Sequence, residues 1–534
     1  MRPSCPRLNL ITIKIVAVAL IPLVFGSKPV YAQSVATTDG VRTVTVSDPS
    51  TPFYNSFARA SINDSGDVVF TSSFLYGVYS ETGSGLHQVA QLGSPAPGYP
   101  GQTLNGFFYG PLIGNADVVA VISTPSGYNV NNSIWTQQGT GSLQLLAGQG
   151  KAAPGMPAGI TFEGFSTPLM SDQGQVAMLA NIQGDGIVRS VNNTGIWAQK
   201  TAGGPLELVA ASNQNAPGIA NSTFKSYSFP AINNAGDVAF IGTVNTSTGT
   251  RDGVWADVAG SGLVLKASTQ APVQGLPSSV QLSAITDLVS VNESGKVAFR
   301  AELSGPGINS SNDVAYVVET NNGFRIALQE GQAILGLPSA QVAGSSFLPT
   351  VNAAGEMTVL ASLPAIGNPS TFTNALLTEH GGAGLRTIAY DGEQAPDLPI
   401  GVIFSHLAGY YNSNENGVTV FGSDLAGSGV TAGNDYGYFA EFAPGLIKTL
   451  VREGDLIEIA PSVFKTINGL STTRYGDQPL NNHNQFAFTA TFTDGSSGVF
   501  VVAVPEAGTT TLLSIAGFAF IGCTVAKRIK RRTA

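Results

Sequence analysis

Polar turns and apolar runs alternate along most of this chain, and one phrase keeps returning. "INDSGDVVF" occupies 62–70, "INNAGDVAF" 232–240, "VNESGKVAF" 291–299 and "LNNHNQFAF" 480–488. An asparagine such as Asn63 can accept backbone N–H groups two or three residues on, and so starts a turn. Gly66 then supplies the positive φ that closes the turn into a bulged hairpin. In the last copy Asn484 takes that place, as the residue that next best tolerates the conformation. The run that follows, such as "VAFIGTV", is almost wholly apolar or small, which predicts a strand buried on both faces.

Eight copies can be aligned, starting at Asn63, Ile113, Ser171, Asn233, Asn292, Asn352, Asn414 and Asn481, at intervals of 50, 58, 62, 59, 60, 62 and 67 residues. Such regularity marks a repeat architecture. The turn-forming positions are Asn63 and Gly66, Asn233 and Gly236, Asn292 and Gly295, Asn352 and Gly355, Asn414 and Gly417, and Asn481 and Asn484. Ala116 falls at the glycine place of the second copy, which reads as degenerate. A second phrase follows in most copies ("GVY" at 77, "SIW" at 133, "GIW" at 195, "GVW" at 253, "GYF" at 437, "GVF" at 498), then a third of the kind "LELVAAS" at 206, then a Pro- and Gly-containing loop. Each unit thus predicts three or four short antiparallel strands and no helix.

Repeated small sheets can close into a ring of blades or stack in a line. The ends favour the ring. Residues 40–63 read as the later part of a unit whose beginning is "QFAFTATFTDGSSGVFVVAV" at 485–504. The expectation is therefore an all-β, eight-bladed β-propeller over 33–504, closed by pairing of its N- and C-terminal strands. A linear β-solenoid is the competing arrangement. The turn phrase resembles the tandem-repeat family named for an Asn-x-x-Gly-x-x-Ala-Phe motif. Asn233, Gly236, Ala239 and Phe240 match it fully, as do Asn292, Gly295, Ala298 and Phe299, and the resemblance covers 40–504. It implies a secreted or surface-anchored repeat protein and supplies no catalytic residues.

Charge and the two ends add an address. Of 25 basic residues, four lie in 1–32 and five at 527–532, leaving 16 basic against 34 acidic residues between them, a net charge of −18. A body so acidic repels nucleic acid and anionic membrane surfaces. Residues 1–32 carry Arg2 and Arg7, an apolar stretch and "VYA" before Gln33. They read as a signal peptide cleaved after Ala32 by signal peptidase, a retained anchor being the alternative. At the other end, residues 505–534 contain an apolar stretch at about 509–526, long enough to cross a bilayer as a helix, followed by Lys527, Arg528, Lys530, Arg531 and Arg532. With Val504, Pro505, Glu506 and Ala507 this layout resembles the PEP-CTERM sorting domain. Ala507 replaces the second proline of that pattern, and Ile529 interrupts the basic run. The resemblance implies an exosortase that removes the tail at the inner membrane and releases the protein or passes it to the cell surface. A plain membrane anchor is the alternative.

Candidate chemistry is sparse. Both cysteines, Cys5 and Cys523, lie in the end segments, so the body has no disulfide, thiolate site or cysteine nucleophile. His87, His380, His406 and His483 fall at different points of their units and show no metal-ligand spacing. Asp- and Asn-rich turns such as "NDSGD" could hold calcium, yet none has the spaced loop of calcium sites, and turn formation already accounts for them. No cofactor is expected. Trp135, Trp197 and Trp255 recur at one structural position, which favours core packing over carbohydrate stacking. The loops at 181–195, 245–253 and 304–313 are candidates for a recognition face. The pattern as a whole points to an exported, non-enzymatic matrix or cell-surface protein with an exopolysaccharide or surface protein as partner. The rival is a propeller glycosidase or polysaccharide lyase, which two or three carboxylates converging at the central channel would favour.

Overall fold

A computed structural model describes residues 40–47, 57–72, 77–83, 85–107, 109–127, 133–334, 337–342, 348–365, 368–382, 384–471 and 478–505. The expected signal peptide with its cleavage site at Ala32, the expected membrane-crossing stretch at about 509–526, and Glu506, Ala507 and the basic residues of the tail lie outside these. Among the described residues no helix is long and apolar enough to cross a membrane.

The described residues form eight antiparallel sheets of four principal strands each, in chain order, with an extra hairpin, Ala333–Ile334 with Leu337–Gln341, and an extra strand, Leu456–Ala460, on the eighth sheet. The fourth sheet shows the pattern: an inner strand in two pieces (Thr223–Tyr227 and Ala231–Ile232), then Val238–Thr246, Gly249–Val258 and an outer strand Gly262–Ser268. Eight apolar clusters fill the spaces between neighbouring sheets, one for each junction, and the eighth joins the last sheet to the first. A line of sheets has no such eighth junction. The molecule is an eight-bladed β-propeller.

Closure follows the course expected from the ends. Val41–Val46 runs antiparallel to Ser497–Ala503, with Val41 opposite Val502 and Val46 opposite Gly498. It supplies the outer strand of the eighth sheet, whose other strands are, in order, Ser497–Ala503, Gln485–Phe492, Val463–Leu470 and Leu456–Ala460.

The repeated aromatics now have a physical reason. The phenylalanine of the first phrase and the aromatic of the second are cross-strand partners: Phe240 faces Trp255, Phe421 faces Phe439, Phe488 faces Phe500 and Phe70 faces Tyr79. All four pairs are stacked, with ring centroids 5.5–6.2 Å apart. Successive residues of the second strand point to opposite junctions. Val238 and Phe240 belong to the cluster shared with the third blade, Ala239 and Ile241 to the one shared with the fifth. Burial on both faces is why these strands show no polar alternation. Trp135, Trp197 and Trp255 are 0% exposed, so they stack on no carbohydrate. Their indole N–H groups donate to the carbonyls of Pro97, Pro154 and Pro217, fastening each Pro-Gly loop onto the next blade.

The turn asparagines do more than turn. Asn233 Oδ1 accepts the N–H groups of Ala235 and Asp237, as expected, while its Nδ2 donates to the Asn292 carbonyl of the next blade at 2.8 Å. Asn292 reaches Asn352 at 3.0 Å, Asn414 reaches Asn481 at 2.9 Å, Asn481 reaches Asn63 at 2.7 Å and Asn63 reaches Gly114 at 3.3 Å. Asn352 instead turns its amide to Glu356. The closing positions Gly66, Gly236, Gly295, Gly355, Gly417 and Asn484 all have φ between 58° and 85°.

In the second copy the register differs from the sequence reading. Gly114, not Ile113, stands in the asparagine place, since its N–H bonds to the Val118 carbonyl four residues on. Asp117, at φ 57°, takes the place expected for Ala116. A Cβ on Gly114 would lie 2.5 Å from Gly174 of the next turn, so only glycine fits there.

Outside the turns a second set of links joins the blades. Arg42 pairs with Glu81, Lys200 with Asp257, Lys266 with Glu319, Arg325 with Glu379 and Arg386 with Glu441, each pair bridging adjacent blades. The cations of the first four also donate to the carbonyl of the neighbouring turn glycine, at Gly66, Gly236, Gly295 and Gly355.

Two stability outcomes follow. Asn233→Asp keeps the acceptor of its own turn but sets a carboxylate against the Asn292 carbonyl and the Asp237 carboxylate. Denaturant unfolding should show a loss of about 1–3 kcal/mol or more. Deleting residues 1–47 leaves Ser497–Ala503 as an open edge, and size-exclusion chromatography should show aggregates in place of a soluble monomer.

Candidate functional site

The residue after the first turn position is the same structural place in each copy, and in all but the sixth these residues are joined to one another by hydrogen bonds across the ring. In order these are Asp64, Asn115, Asp172, Asn234, Glu293, Ala353, Glu415 and Asn482, Asn115 following Gly114 in the second copy. Acids stand on the odd-numbered blades, amides on all even-numbered blades but the sixth. The spacing of about 60 residues holds this alternation in plain view, but turn propensity gave reason enough for each acid and amide, so their convergence went unread.

The amides knit the acids together. Asp64 accepts the backbone N–H of Asn482 at 2.8 Å and the Asn115 amide at 2.8 Å, and in turn donates its own N–H to Asn115 Oδ1. Asn482 Nδ2 stands between two acids of different blades, 3.3 Å from Asp64 and 3.0 Å from Asp172. Asn234 donates its side chain to Asp172 and its backbone N–H to both oxygens of Glu293. Glu415 bonds its N–H to Asn482 Oδ1, and its buried Oε2 has no partner.

No arginine or lysine neutralises Asp172, Glu293 or Glu415 among the described residues. Burial is the main cause that raises all three above the ordinary carboxyl range. It pushes Glu293 up to about 7, with Glu415, Asp172 and Asp237 adding repulsion against the N–H of Asn234. Asp172 is raised by burial and by Asp64, against the amides of Asn234 and Asn482. Glu415 is raised by burial and by Asp172. Of the three, Glu293 is the one pushed up as far as neutrality.

The other expected residues are dispersed. His87, His380, His406 and His483 lie in the first, sixth, seventh and eighth blades. His380 pairs with Glu356 at 2.9 Å, and His483 contacts the Asp64 carbonyl at 2.6 Å. Among the described residues no group of three or more His, Cys, Asp or Glu could hold a metal ion. Of the sorting motif, Val504 is buried at 3% exposure and Pro505 is half-buried.

The loops expected to form a recognition face connect second to third strands, at the end of the blades opposite the asparagine turns. Two are stereotyped. Asn192 Nδ2 closes one onto the Gly186 carbonyl and Asn312 Nδ2 another onto Gly307, and the seventh blade repeats this with Asn434 and Gly429. The fourth blade has a plain hairpin instead. Beside it a groove of about 490 Å³ opens, lined by Ile219, Thr246, Thr248, Arg251, Ser268 and Pro272 among others.

The acidic ring makes stability depend on pH. Folding favours the neutral carboxyls, so the folded state binds protons that the unfolded chain releases. That stabilisation is complete below the ordinary carboxyl range and is lost as the pH rises through about 7. Between pH 5 and pH 8 the melting temperature should fall, and Glu293→Gln should flatten the fall, raising the pH 8 value by roughly 1–3 °C.

Comparison with known proteins adds a family. Residues 30–205, 199–355 and 345–511 match the Family of unknown function (DUF7453). No curated protein matches the sequence. Among solved structures, the polysaccharide lyase Uly1 is similar at 12% identity, covering 77% of this chain and 95% of that one with a TM-score of 0.36. The Dos1 propeller is similar at 8% identity over 87% of this chain and 97% of its own, TM-score 0.38. The α-L-arabinofuranosidase Arb93A from Fusarium graminearum is similar at 9% identity over 62% and 91%, TM-score 0.29. The three family matches together span most of the sequence, and the chain belongs to the family of unknown function DUF7453.

Proposed function

We propose that this propeller is an exported, non-enzymatic binding protein of the cell surface or extracellular matrix, with a matrix exopolysaccharide as its partner. The end segments support the address: a leader ending at Ala32, and a tail with Pro505, Glu506, an apolar stretch and a basic cluster, suited to signal peptidase and exosortase.

One observation carries the non-enzymatic reading. The convergence of carboxylates at the axis is the feature that favours a glycosidase or lyase, and Asp64 and Asp172 come near one another there. Asn482 Nδ2 occupies the place between them where a scissile oxygen would have to sit. Glycoside hydrolysis needs that space for the bond and, in the inverting case, for a water as well. The acids are held as acceptors for neighbouring turns, and the network is a lock on the ring. Recognition then belongs to the opposite face, where loops stand on a rigid scaffold.

The test incubates the full chain with the host's own exopolysaccharide and follows both binding and polymer length. Saturable binding in the micromolar range with unchanged chain length is expected. Shortening of the polymer, abolished by Asp172→Asn, would establish the enzyme instead.

A further inference from the structure

We infer that the groove on the fourth blade is the binding site for an oxyanion-bearing saccharide unit, a uronate or a sulfate ester. This deepens the glycan-binding reading and rests on it.

Most cations of the body are already engaged. Arg42, Arg325 and Arg386 hold neighbouring blades, Arg189 pairs with Glu163, and Arg452 donates to the Asn434 carbonyl. Arg251, on the third strand of the fourth blade, alone among the described arginines makes no hydrogen bond or ion pair. Its Nε is buried without an acceptor. A guanidinium N–H shielded from water and left unpaired is costly, and an oxyanion is the acceptor that best matches its planar fork.

A second unpartnered group faces the same groove. Ser268 closes the outer strand, is 5% exposed, and its hydroxyl makes no hydrogen bond. In register it lies opposite Gly253, two residues along the strand from Arg251, so both side chains leave the sheet on one face. The hydroxyls of Thr246 and Thr248 line the hairpin side, and Ile219 and Pro272 give an apolar margin. Lys266 also borders the groove, but its ammonium is tied to Glu319 and the Gly295 carbonyl. One uncommitted positive fork, several hydroxyls and small apolar edges suit a polyhydroxylated ring with one negative substituent. The volume lies in the range of about 300–1,000 Å³ that small-molecule sites occupy. The strongly negative body repels polyanions as a whole, so Arg251 is the group that has to supply the local attraction for a negative substituent.

Titration calorimetry on the full chain, in mild detergent, would compare a tetra-uronate, a sulfated tetrasaccharide, a neutral dextran tetramer and tetraglutamate. Binding of at least one anionic saccharide is expected, and the preferred one identifies the oxyanion. Arg251→Gln should weaken it about 10- to 100-fold, Ser268→Ala less, and neither variant should melt below the parent, because neither side chain bonds within the fold. Equal affinity in Arg251→Gln, equally tight tetraglutamate, or no binding of either anionic saccharide overturns the inference. If the host exopolysaccharide still binds in that event, the glycan-binding reading stands and only this site falls. If nothing binds, both fall.

Discussion

A propeller with no helix among its described residues and no cysteine in its body depends on keeping eight thin sheets in one circular register. The hydrogen bond that does this is the donation from a turn asparagine to the backbone carbonyl of the next turn. The same side chain satisfies its own turn with Oδ1 and its neighbour's with Nδ2. Aspartate has no donor to give, and serine is too short to reach. Where the asparagine is missing, other groups cross the gap. In the third copy Ser171 Oγ accepts the Gln175 N–H, and Gln175 Nε2 reaches the Asn234 carbonyl. In the second, the Asn115 N–H bonds to the Asp172 carbonyl.

Around this inner ring the apolar junctions supply most of the stabilisation, since each large aromatic is removed from water between two sheets. The ion pairs at the rim work differently. The Glu441 carboxyl is 1% exposed and takes both arms of Arg386, so it acts as a fixed fork, whereas Arg42 is nearly half exposed and its pair with Glu81 is worth little on its own. In the inner ring no cation among the described residues neutralises Asp172, Glu293 or Glu415. There the chain tolerates crowded acids by alternating them with amides and by raising the carboxyl of Glu293 to about 7.

The turn, the strand that follows it and the ring closure were legible in the sequence because each is written locally. Asn63 and Gly66 are three residues apart, and the halves of the split blade carry recognisable phrases at each end of the chain. The inter-blade contacts were not legible from any one unit, because they depend on spacing. The cation-to-acid separation is 53 residues for Lys266 and Glu319, 54 for Arg325 and Glu379, and 55 for Arg386 and Glu441. With 57 for Lys200 and Asp257, four of the five pairs share a readable spacing, while Arg42 and Glu81 are 39 apart. The register of the second copy was misread because Ala116 was counted where a one-residue shift brings Asp117 into the left-handed conformation. The groove lay beyond sequence reasoning, since Arg251 becomes notable only when the other described arginines are seen to be engaged.

The seam between Val41–Val46 and Ser497–Ala503 also settles how the molecule bears tension. Gly40 accepts the Ala503 N–H at 3.0 Å, so the two ends of the propeller emerge side by side on the rim. Val504 is packed in the core and donates its N–H to the Asn484 carbonyl. A pull applied beyond Pro505 thus enters a strand flanked by partners on both sides. The ladders on either side would have to slide together before anything peels, which makes the exit point a mechanically stiff place from which to hang a protein.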